Sequence, residues 1–179
     1  MNDILNTPFV PIVHDFGIVF EETLLRDANR LAEDAVPLDP DPLLSPIVDT
    51  HPTRVQGLYV CPMPVMRHQD LDGALPNMLV RGLVLRSDGH RLHSERLDAA
   101  GVTKGIALVA GSFYELDPYD FHWTTVPDGP EDPVLLFYVE GDLPDERTPR
   151  DIADEMLMHL RDEIPYMAKQ PAGPGRGRS

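Results

Sequence analysis

Two histidines and one aspartate have the spacing of a metal site. His68 and Asp70 are separated by one residue, Gln69, and His122 follows 54 positions after His68. Residues i and i+2 of an extended chain project from the same side, so this imidazole and this carboxylate can converge on one cation. A distant histidine then completes a facial set of two histidines and one carboxylate, which leaves further metal positions open. The sequence therefore predicts that His68, Asp70 and His122 bind a metal.

Simpler explanations of the same residues stay open. His68 lies among the turn-forming residues Pro62, Pro64 and Gly73, so it is equally consistent with a solvated loop. His122 next to Trp123 is equally consistent with a structural histidine at the end of a strand.

The order of these residues resembles that of the non-haem iron, 2-oxoglutarate-dependent oxygenases, whose double-stranded β-helix core carries His-x-Asp and a distal histidine. A predicted strand and tight turn within Val109–Pro118 precede His122, and the apolar stretch Val134–Val139 follows it, as is common in that family. The resemblance covers about residues 54–140. It implies an iron-dependent dioxygenase with Fe(II) and 2-oxoglutarate as cofactors.

One expected residue of that family is missing. The family usually holds the far carboxylate of the co-substrate with a basic residue soon after the distal histidine, but no basic residue occurs here between His122 and Arg147. Arg81 and Arg86, on another predicted strand, are the substitutes that we consider for co-substrate binding.

The same region also resembles the related cupins. Gly111, Pro118 and His122 approximate the second cupin motif, with Asp120 where glycine is usual. The first motif would need a second metal set, and its residues fit poorly, because their two histidines are at i and i+3, a spacing that does not share one face of a strand. These residues are His90, His93 and Glu95.

The negative charge of the chain is unevenly distributed. The net charge is −15, with −8 in residues 1–50, +2 in residues 51–110 and −12 in residues 111–165. A non-specific nucleic-acid binder needs a basic stripe, so we expect no direct binding to nucleic acid. The acidic surface predicts solubility or, alternatively, a basic protein partner that the surface attracts by imitating nucleic acid.

Two helices are predicted near the ends of the chain. Apolar residues recur at helical spacing from Glu21 to Ala35, and a second amphipathic stretch runs over residues 149–164, starting after the N-cap Thr148 and ending at Pro165. The segment Pro37–Pro46 holds four prolines and is expected to be a connector without regular structure. The tail 170–179 is expected to be disordered.

The centre of the chain has a strand pattern. Short apolar stretches alternate with turn dipeptides such as Asp72-Gly73, Asp88-Gly89 and Asp128-Gly129, which favour antiparallel connections. The predicted strands are Val55–Val60, Met78–Leu85, Gly105–Ala110, Ser112–Leu116 and Val134–Val139. We therefore expect a single mainly β domain over residues 1–169: an antiparallel β-sandwich or jelly roll (double-stranded β-helix) with a β core at about 54–140 and flanking α-helices at its N- and C-terminal ends.

Other function classes find little support in the sequence. The single cysteine, Cys61, excludes an intramolecular disulfide, and no stretch has the length and apolar character of a signal peptide or membrane helix, so we expect a cytoplasmic protein without membrane contact. Ser94 and Cys61 lack the surroundings of a hydrolase nucleophile. Three hypotheses remain: a metal-dependent oxygenase-like protein, a non-enzymatic acidic inhibitor or assembly factor, and a metal-free interaction domain.

Overall fold

The computed structural model describes residues 12–35, 45–49, 56–61, 63–70, 76–95 and 105–169. Within these ranges the chain forms nine strands and two helices. The strands are β1 (Ile12–Asp15), β2 (Ser45–Asp49), β3 (Gln56–Cys61), β4 (Leu79–Ser87), β5 (Arg91–Ser94), β6 (Ile106–Ala107), β7 (Ser112–Leu116), β8 (His122–Thr125) and β9 (Leu135–Asp142). The helices are α1 (Glu22–Ala35) and α2 (Pro149–Ala168).

The described strands form two antiparallel sheets. The larger sheet has the order β1-β7-β4-β9-β3-β2, and the smaller one has the order β6-β5-β8. The turn at Asp88-Gly89, where Gly89 has a φ of 88°, carries the chain from β4 of the larger sheet into β5 of the smaller one. The expectation of a mainly β, antiparallel protein with two flanking helices is therefore confirmed.

Side chains alternate between the two faces of the larger sheet, as strand geometry requires. Along β9, Leu136 and Tyr138 pack with apolar residues of α1 and α2, on what we call the helix face. Leu135 and Phe137 pack on the opposite face, which we call the inner face, together with Leu92 of the smaller sheet. The core therefore has two layers, one between sheet and helices and one between the two sheets.

Both helices lie close to their predicted positions. At the start of α2, the Thr148 hydroxyl accepts a hydrogen bond from the Asp151 amide at 3.2 Å, and the Asp151 carboxylate accepts one from the Thr148 amide at 3.0 Å. This reciprocal cap explains why the sequence located the start of the helix so well. The prediction that Pro165 ends α2 is wrong, because the helix continues to Ala168. Ile164 is buried against α1 and the sheet, and the Arg30 guanidinium of α1 donates to the Ala168 carbonyl, so packing supports the turn after the proline.

The predicted strands correspond to β3, β4, β6, β7 and β9, but β4 and β9 extend two and three residues beyond their predicted ends and β6 is much shorter than predicted. Of the predicted Gly105–Ala110 strand, only Ile106 and Ala107 form β6, although the Leu108 amide still donates to the His90 carbonyl at 2.9 Å. The connector prediction is wrong at its end: Ser45 and Pro46 belong to β2, an edge strand, where proline is tolerated. The rest of that connector, the Asp72-Gly73 turn and the tail 170–179 lie outside the described residues.

Neither helix in the described part of the chain has the length and apolar character needed to cross a lipid bilayer.

Candidate metal centre

The smaller sheet places His122 beside His68. His122 is the first residue of β8, and His68 pairs with it as an isolated antiparallel bridge. The His68 amide donates to the His122 carbonyl at 3.0 Å, and the His122 amide donates to the His68 carbonyl at 2.9 Å. Further along, the Asp70 amide donates to the Pro118 carbonyl at 3.0 Å, so the segment that carries His68 and Asp70 is fixed at both ends.

The three side chains converge on one point. Nε2 of His68 lies 3.3 Å from Oδ1 of Asp70, and Nε2 of His122 lies 3.2 Å from Oδ2 of the same carboxylate. The two imidazole centroids are 4.3 Å apart. One donor atom from each residue lies within 4.8 Å of the other two, and this is the only such group of metal-ligand residues in the described ranges.

The other nitrogen of each imidazole is held by the backbone. Nδ1 of His68 donates to the Met66 carbonyl at 2.8 Å, and Nδ1 of His122 donates to the Asp120 carbonyl at 3.0 Å. A carbonyl oxygen only accepts hydrogen bonds, so both Nδ1 atoms carry their proton. In the neutral form of each ring, Nε2 then presents a lone pair towards Asp70, which is the arrangement that orients metal-binding histidines.

This arrangement calls for a positive charge between the rings and the carboxylate. Two neutral imidazoles would direct lone pairs at the acceptor oxygens of Asp70, which repel them. A second proton on each ring would remove the repulsion, but it would place two cationic rings side by side at a centroid distance of 4.3 Å. One divalent cation would satisfy all three donor atoms at once.

The separations of the donor atoms fit a first-row metal. Two ligand atoms that each lie about 2.1 Å from one cation are about 3.0 Å apart at a right angle and about 3.4 Å apart at the tetrahedral angle. The observed nitrogen-to-oxygen distances of 3.3 and 3.2 Å fall between these values. Two imidazoles and one carboxylate are a donor set that suits Fe(II), Co(II) and Zn(II).

The charge states of the group favour cation binding by Asp70. Burial raises the pKa of Asp70, but the adjacent His122 and His68 rings outweigh it and hold that pKa well below its ordinary value. The carboxylate is thus ionised at neutral pH. The contact with Asp70 is also the main reason why the pKa of His68 is raised. A metal must therefore compete with a proton on His68, so affinity should increase with pH.

Neighbouring residues hold the two ligand segments together from outside. Arg67 precedes His68, and its guanidinium lies 3.6 Å from the ring centroid of Phe121, which precedes His122. Arg67 also forms an ion pair with Glu95. Gln69, between the two other ligands, donates to the Tyr119 carbonyl at 2.6 Å. The residues that alternate with the ligands thus fix the spacing of the two segments.

The two arginines predicted for co-substrate binding have other partners. Arg81 is buried and forms an ion pair at 3.3 Å with Glu115 of β7, its opposite residue in the register. Since Tyr114 lies on the inner face, the neighbouring Glu115 and hence Arg81 lie on the helix face. Arg86 is exposed and pairs with Asp88 at 2.8 Å. Their role in co-substrate binding stays a prediction.

The second metal set, predicted from the cupin resemblance, is not brought together. His93 stacks on Trp123 with centroids 5.2 Å apart and shares a hydrogen bond with Thr125. Glu95 pairs with Arg67. His90 is fully buried, and neither of its ring nitrogens has a hydrogen-bond partner among the residues that the structure describes. The i and i+3 spacing of the two histidines explains their separation, because it directs them to opposite faces of one strand.

Part of the acidic surface is neutralised within the molecule. Arg147 contacts the carboxylates of Asp142, Asp145 and Glu155. These acids therefore stabilise the segment that leads into α2, in addition to any role in solubility or partner attraction.

Sequence reasoning did not single out Tyr114, a buried residue of β7 on the inner face of the larger sheet. It belongs to the same buried cluster as Cys61 and Val65, and burial, with a smaller contribution from the Asp70 carboxylate, raises its pKa. The signal that was available is Gly82, a glycine within an apolar strand, which often marks the close approach of another group. Burial raises the pKa of the neighbouring Cys61 thiol to about 12, which argues against a nucleophilic cysteine.

Comparisons with known proteins leave the geometry of this centre as the main guide to function: no protein-family model matches the chain, and no curated protein matches it either.

Proposed function

We propose that this protein binds a divalent first-row metal through His68, Asp70 and His122 and acts as a metal-dependent, oxygenase-like protein. One observation carries the proposal: both imidazoles use Nδ1 to bind backbone carbonyls and direct Nε2 at one ionised carboxylate. The sequence resemblance to the iron and 2-oxoglutarate oxygenases makes Fe(II) the metal of choice. Two antiparallel sheets that enclose a shared core support the corresponding β fold.

The residues in and around the centre have different roles in holding a metal. The Met66 and Asp120 carbonyls hold the imidazoles in one tautomer, and Asp70 supplies the negative charge that retains a cation. Three protein ligands leave positions for exogenous ligands, and a metal so bound supplies the redox or Lewis-acid chemistry. His122 is the most buried of the three, with 8% of its side chain exposed, so an exogenous ligand would enter from the side of His68 and Asp70.

Metal analysis of protein purified without chelator tests the proposal. We expect about one metal ion per chain, iron when the purification is anaerobic, and its loss in His122→Ala. His159→Ala is the matched control, because His159 lies on α2, where it pairs with Glu140. A wild-type chain that neither retains nor takes up Fe(II), Co(II) or Zn(II) would refute the metal centre.

The co-substrate is tested separately. If 2-oxoglutarate binds to the metal-loaded protein, its far carboxylate needs a cationic partner, and Arg81 and Arg86 are the candidates taken from the sequence. Isothermal titration of 2-oxoglutarate into the Fe(II)-loaded and Co(II)-loaded protein measures this directly. If the wild type binds 2-oxoglutarate and Arg86→Met does not, the result would support the oxygenase assignment. If the metal-loaded wild type does not bind 2-oxoglutarate, the ligand of the metal centre must be a different oxygen donor.

An acidic binding protein is the alternative function. It is favoured by the charge of −12 in residues 111–165, although Arg147 neutralises part of that charge. A protein of this kind would bind a basic protein with an affinity that falls as the salt concentration rises. His122→Ala would leave that affinity unchanged.

A further inference from the structure

Three side chains next to the metal ligands contact one another. Arg67 and Phe121 directly precede the ligands His68 and His122, and Glu95 directly follows β5. The Arg67 guanidinium lies 3.6 Å from the ring centroid of Phe121 and forms an ion pair with Glu95. The Glu95 amide in turn donates to the Phe121 carbonyl at 2.9 Å. We call these three residues, Arg67, Phe121 and Glu95, the outer cluster.

The outer cluster joins three segments that are distant from one another in the chain. Arg67 belongs to the segment 63–70, Phe121 leads into β8, and Glu95 extends β5, which pairs with β8. Successive residues of an extended chain project to opposite sides, so these contacts lie on the side away from the ligand nitrogens. They therefore hold the segment 63–70 against β8 without filling space that a metal and its exogenous ligands would need.

The position of His68 relative to His122 decides what fraction of the metal-free protein is ready to bind a metal. The apparent Kd of a site is its intrinsic Kd divided by the fraction of molecules in the binding-competent state. The backbone bridge between the two histidines is an isolated pair and not part of a continuous ladder. The outer cluster adds side-chain contacts beside that bridge, so it raises the fraction of metal-free molecules in which both rings face Asp70.

We propose that Arg67 is a positioning residue of the metal centre and that it increases metal affinity by holding His68 beside His122 through the outer cluster. This inference rests on the proposed function, since it needs a metal at the three ligands. It adds a dependence on ionic strength. Both side chains of the Arg67–Glu95 pair are 49% exposed, so salt screens their attraction, and metal affinity should fall as the salt concentration rises.

The test measures cobalt(II) binding to the full chain through the fluorescence of Trp123. Trp123 is the only tryptophan and directly follows His122, so a bound cobalt ion should quench its emission. Arg67→Met keeps most of the aliphatic stem and removes the guanidinium. We expect it to lower cobalt affinity about three- to tenfold, which the loss of one exposed cation–π contact and one exposed ion pair can account for. Arg67→Lys keeps the charge and should recover part of that affinity.

A purely structural role of Arg67 would give a different result. If Arg67 stabilised the metal-free and the metal-bound protein equally, Arg67→Met would lower both melting temperatures and leave cobalt affinity unchanged. Arg150→Met is the matched control, because Arg150 also lies over an aromatic ring, 5.5 Å from the centroid of Phe16, and pairs with Asp154 at 3.0 Å, but belongs to α2. Its cobalt affinity should equal that of the wild type.

The salt dependence tests the contribution of Glu95. Raising the ionic strength from about 0.1 M to about 1 M shortens the Debye length from about 10 Å to about 3 Å. Cobalt binding should then weaken more in the wild type than in Glu95→Gln, which has no ion pair to screen. Equal salt dependence in these two proteins would refute the ionic-strength effect.

The positioning role and the metal centre can fail separately. If Arg67→Met binds cobalt as tightly as the wild type, the role of Arg67 is refuted while the metal centre stands. If the wild type binds no cobalt, the metal centre and this inference are both refuted.

Discussion

His68 and His122 exchange both backbone hydrogen bonds, at 3.0 and 2.9 Å, and their imidazole centroids lie 4.3 Å apart. Their spacing is thus set by the backbone before any metal binds. A preformed site needs little ordering on binding, so a larger share of the metal-ligand free energy appears as affinity. The bridge also joins the segment 63–70 to β8, so metal binding should stabilise the contact between them.

Metal removal should therefore lower the thermal stability of the protein. At a free metal concentration of 100 times Kd, binding to the folded state alone adds about 2.7 kcal/mol to the free energy of unfolding. We expect a chelator to lower the melting temperature of the wild type and to leave that of Asp70→Asn unchanged. Asp128→Asn, a loop substitution, should still respond to the chelator. A wild type with the same melting temperature in metal and in chelator would contradict this expectation.

The buried pair of Arg81 and Glu115 should behave as a structural unit. Breaking such a pair leaves one charge buried without compensation and costs about 3–5 kcal/mol, whereas replacing both partners with apolar residues is often close to neutral. We expect Arg81→Met and Glu115→Leu to be strongly destabilising and the double variant to recover most of the loss. Urea unfolding of all four proteins measures the coupling. Purely additive effects would show that the two charges are independent, which their 3.3 Å contact makes unexpected.

His90 should make the fold sensitive to acid. Burial lowers its pKa, with a smaller opposing effect from Asp88, so the unfolded chain binds a proton at this residue more readily than the folded chain. A histidine with a lowered pKa contributes stability that is present above its unfolded pKa of about 6.5 and is lost as pH falls below it. The free energy of unfolding should fall less between pH 8 and pH 5 in His90→Leu than in the wild type. His159→Gln, at a half-buried site on α2, serves as the control, and a slope in His90→Leu equal to that of the wild type would show that His90 is not responsible.

The buried face of α2 can be tested with two adjacent residues. Leu157 is 8% exposed and packs in the helix-face core, whereas Met158 is 63% exposed. Leu157→Asp buries an unpaired charge and should cost several kcal/mol, while Met158→Asp should change stability by less than about 0.5 kcal/mol. Thermal and urea unfolding check both. Similar losses in the two variants would show that the orientation of α2 is wrong.

Local patterns in the sequence predicted the elements that depend on neighbours along the chain. Thr148 and Asp151 located the start of α2 because a cap is a contact between residues three apart. The predicted end of α2 at Pro165 was wrong for the opposite reason. The contacts that extend the helix, from Ile164 and from Arg30 of α1, join residues that are distant in sequence. The strand β5 escaped notice because only four residues, Arg91–Ser94, form it, with charged and apolar side chains mixed.

In the candidate centre, too, local spacing in the sequence was informative, whereas contacts that only the folded chain creates were not. The i and i+2 spacing of His68 and Asp70 predicted that these two side chains share a side of the chain, and His122 was proposed as the distant histidine that completes the set. The carbonyls that bind the two Nδ1 atoms were not readable, since backbone atoms leave no mark on the sequence. The partner of Arg81 was also hidden, because strand register, not residue type, places Glu115 opposite it.

The close approach of Tyr114 to Gly82 also has an evolutionary consequence. A side chain at position 82 and an aromatic ring at position 114 cannot occupy the same space, so in related sequences the two positions should change together. Relatives with alanine or a larger residue at position 82 should carry a small residue at position 114, and they should have lost the phenol with it. This pair of positions, 32 residues apart in the chain, would sort distant relatives into those that keep the tyrosine ring packed across β4 and those that keep only the fold.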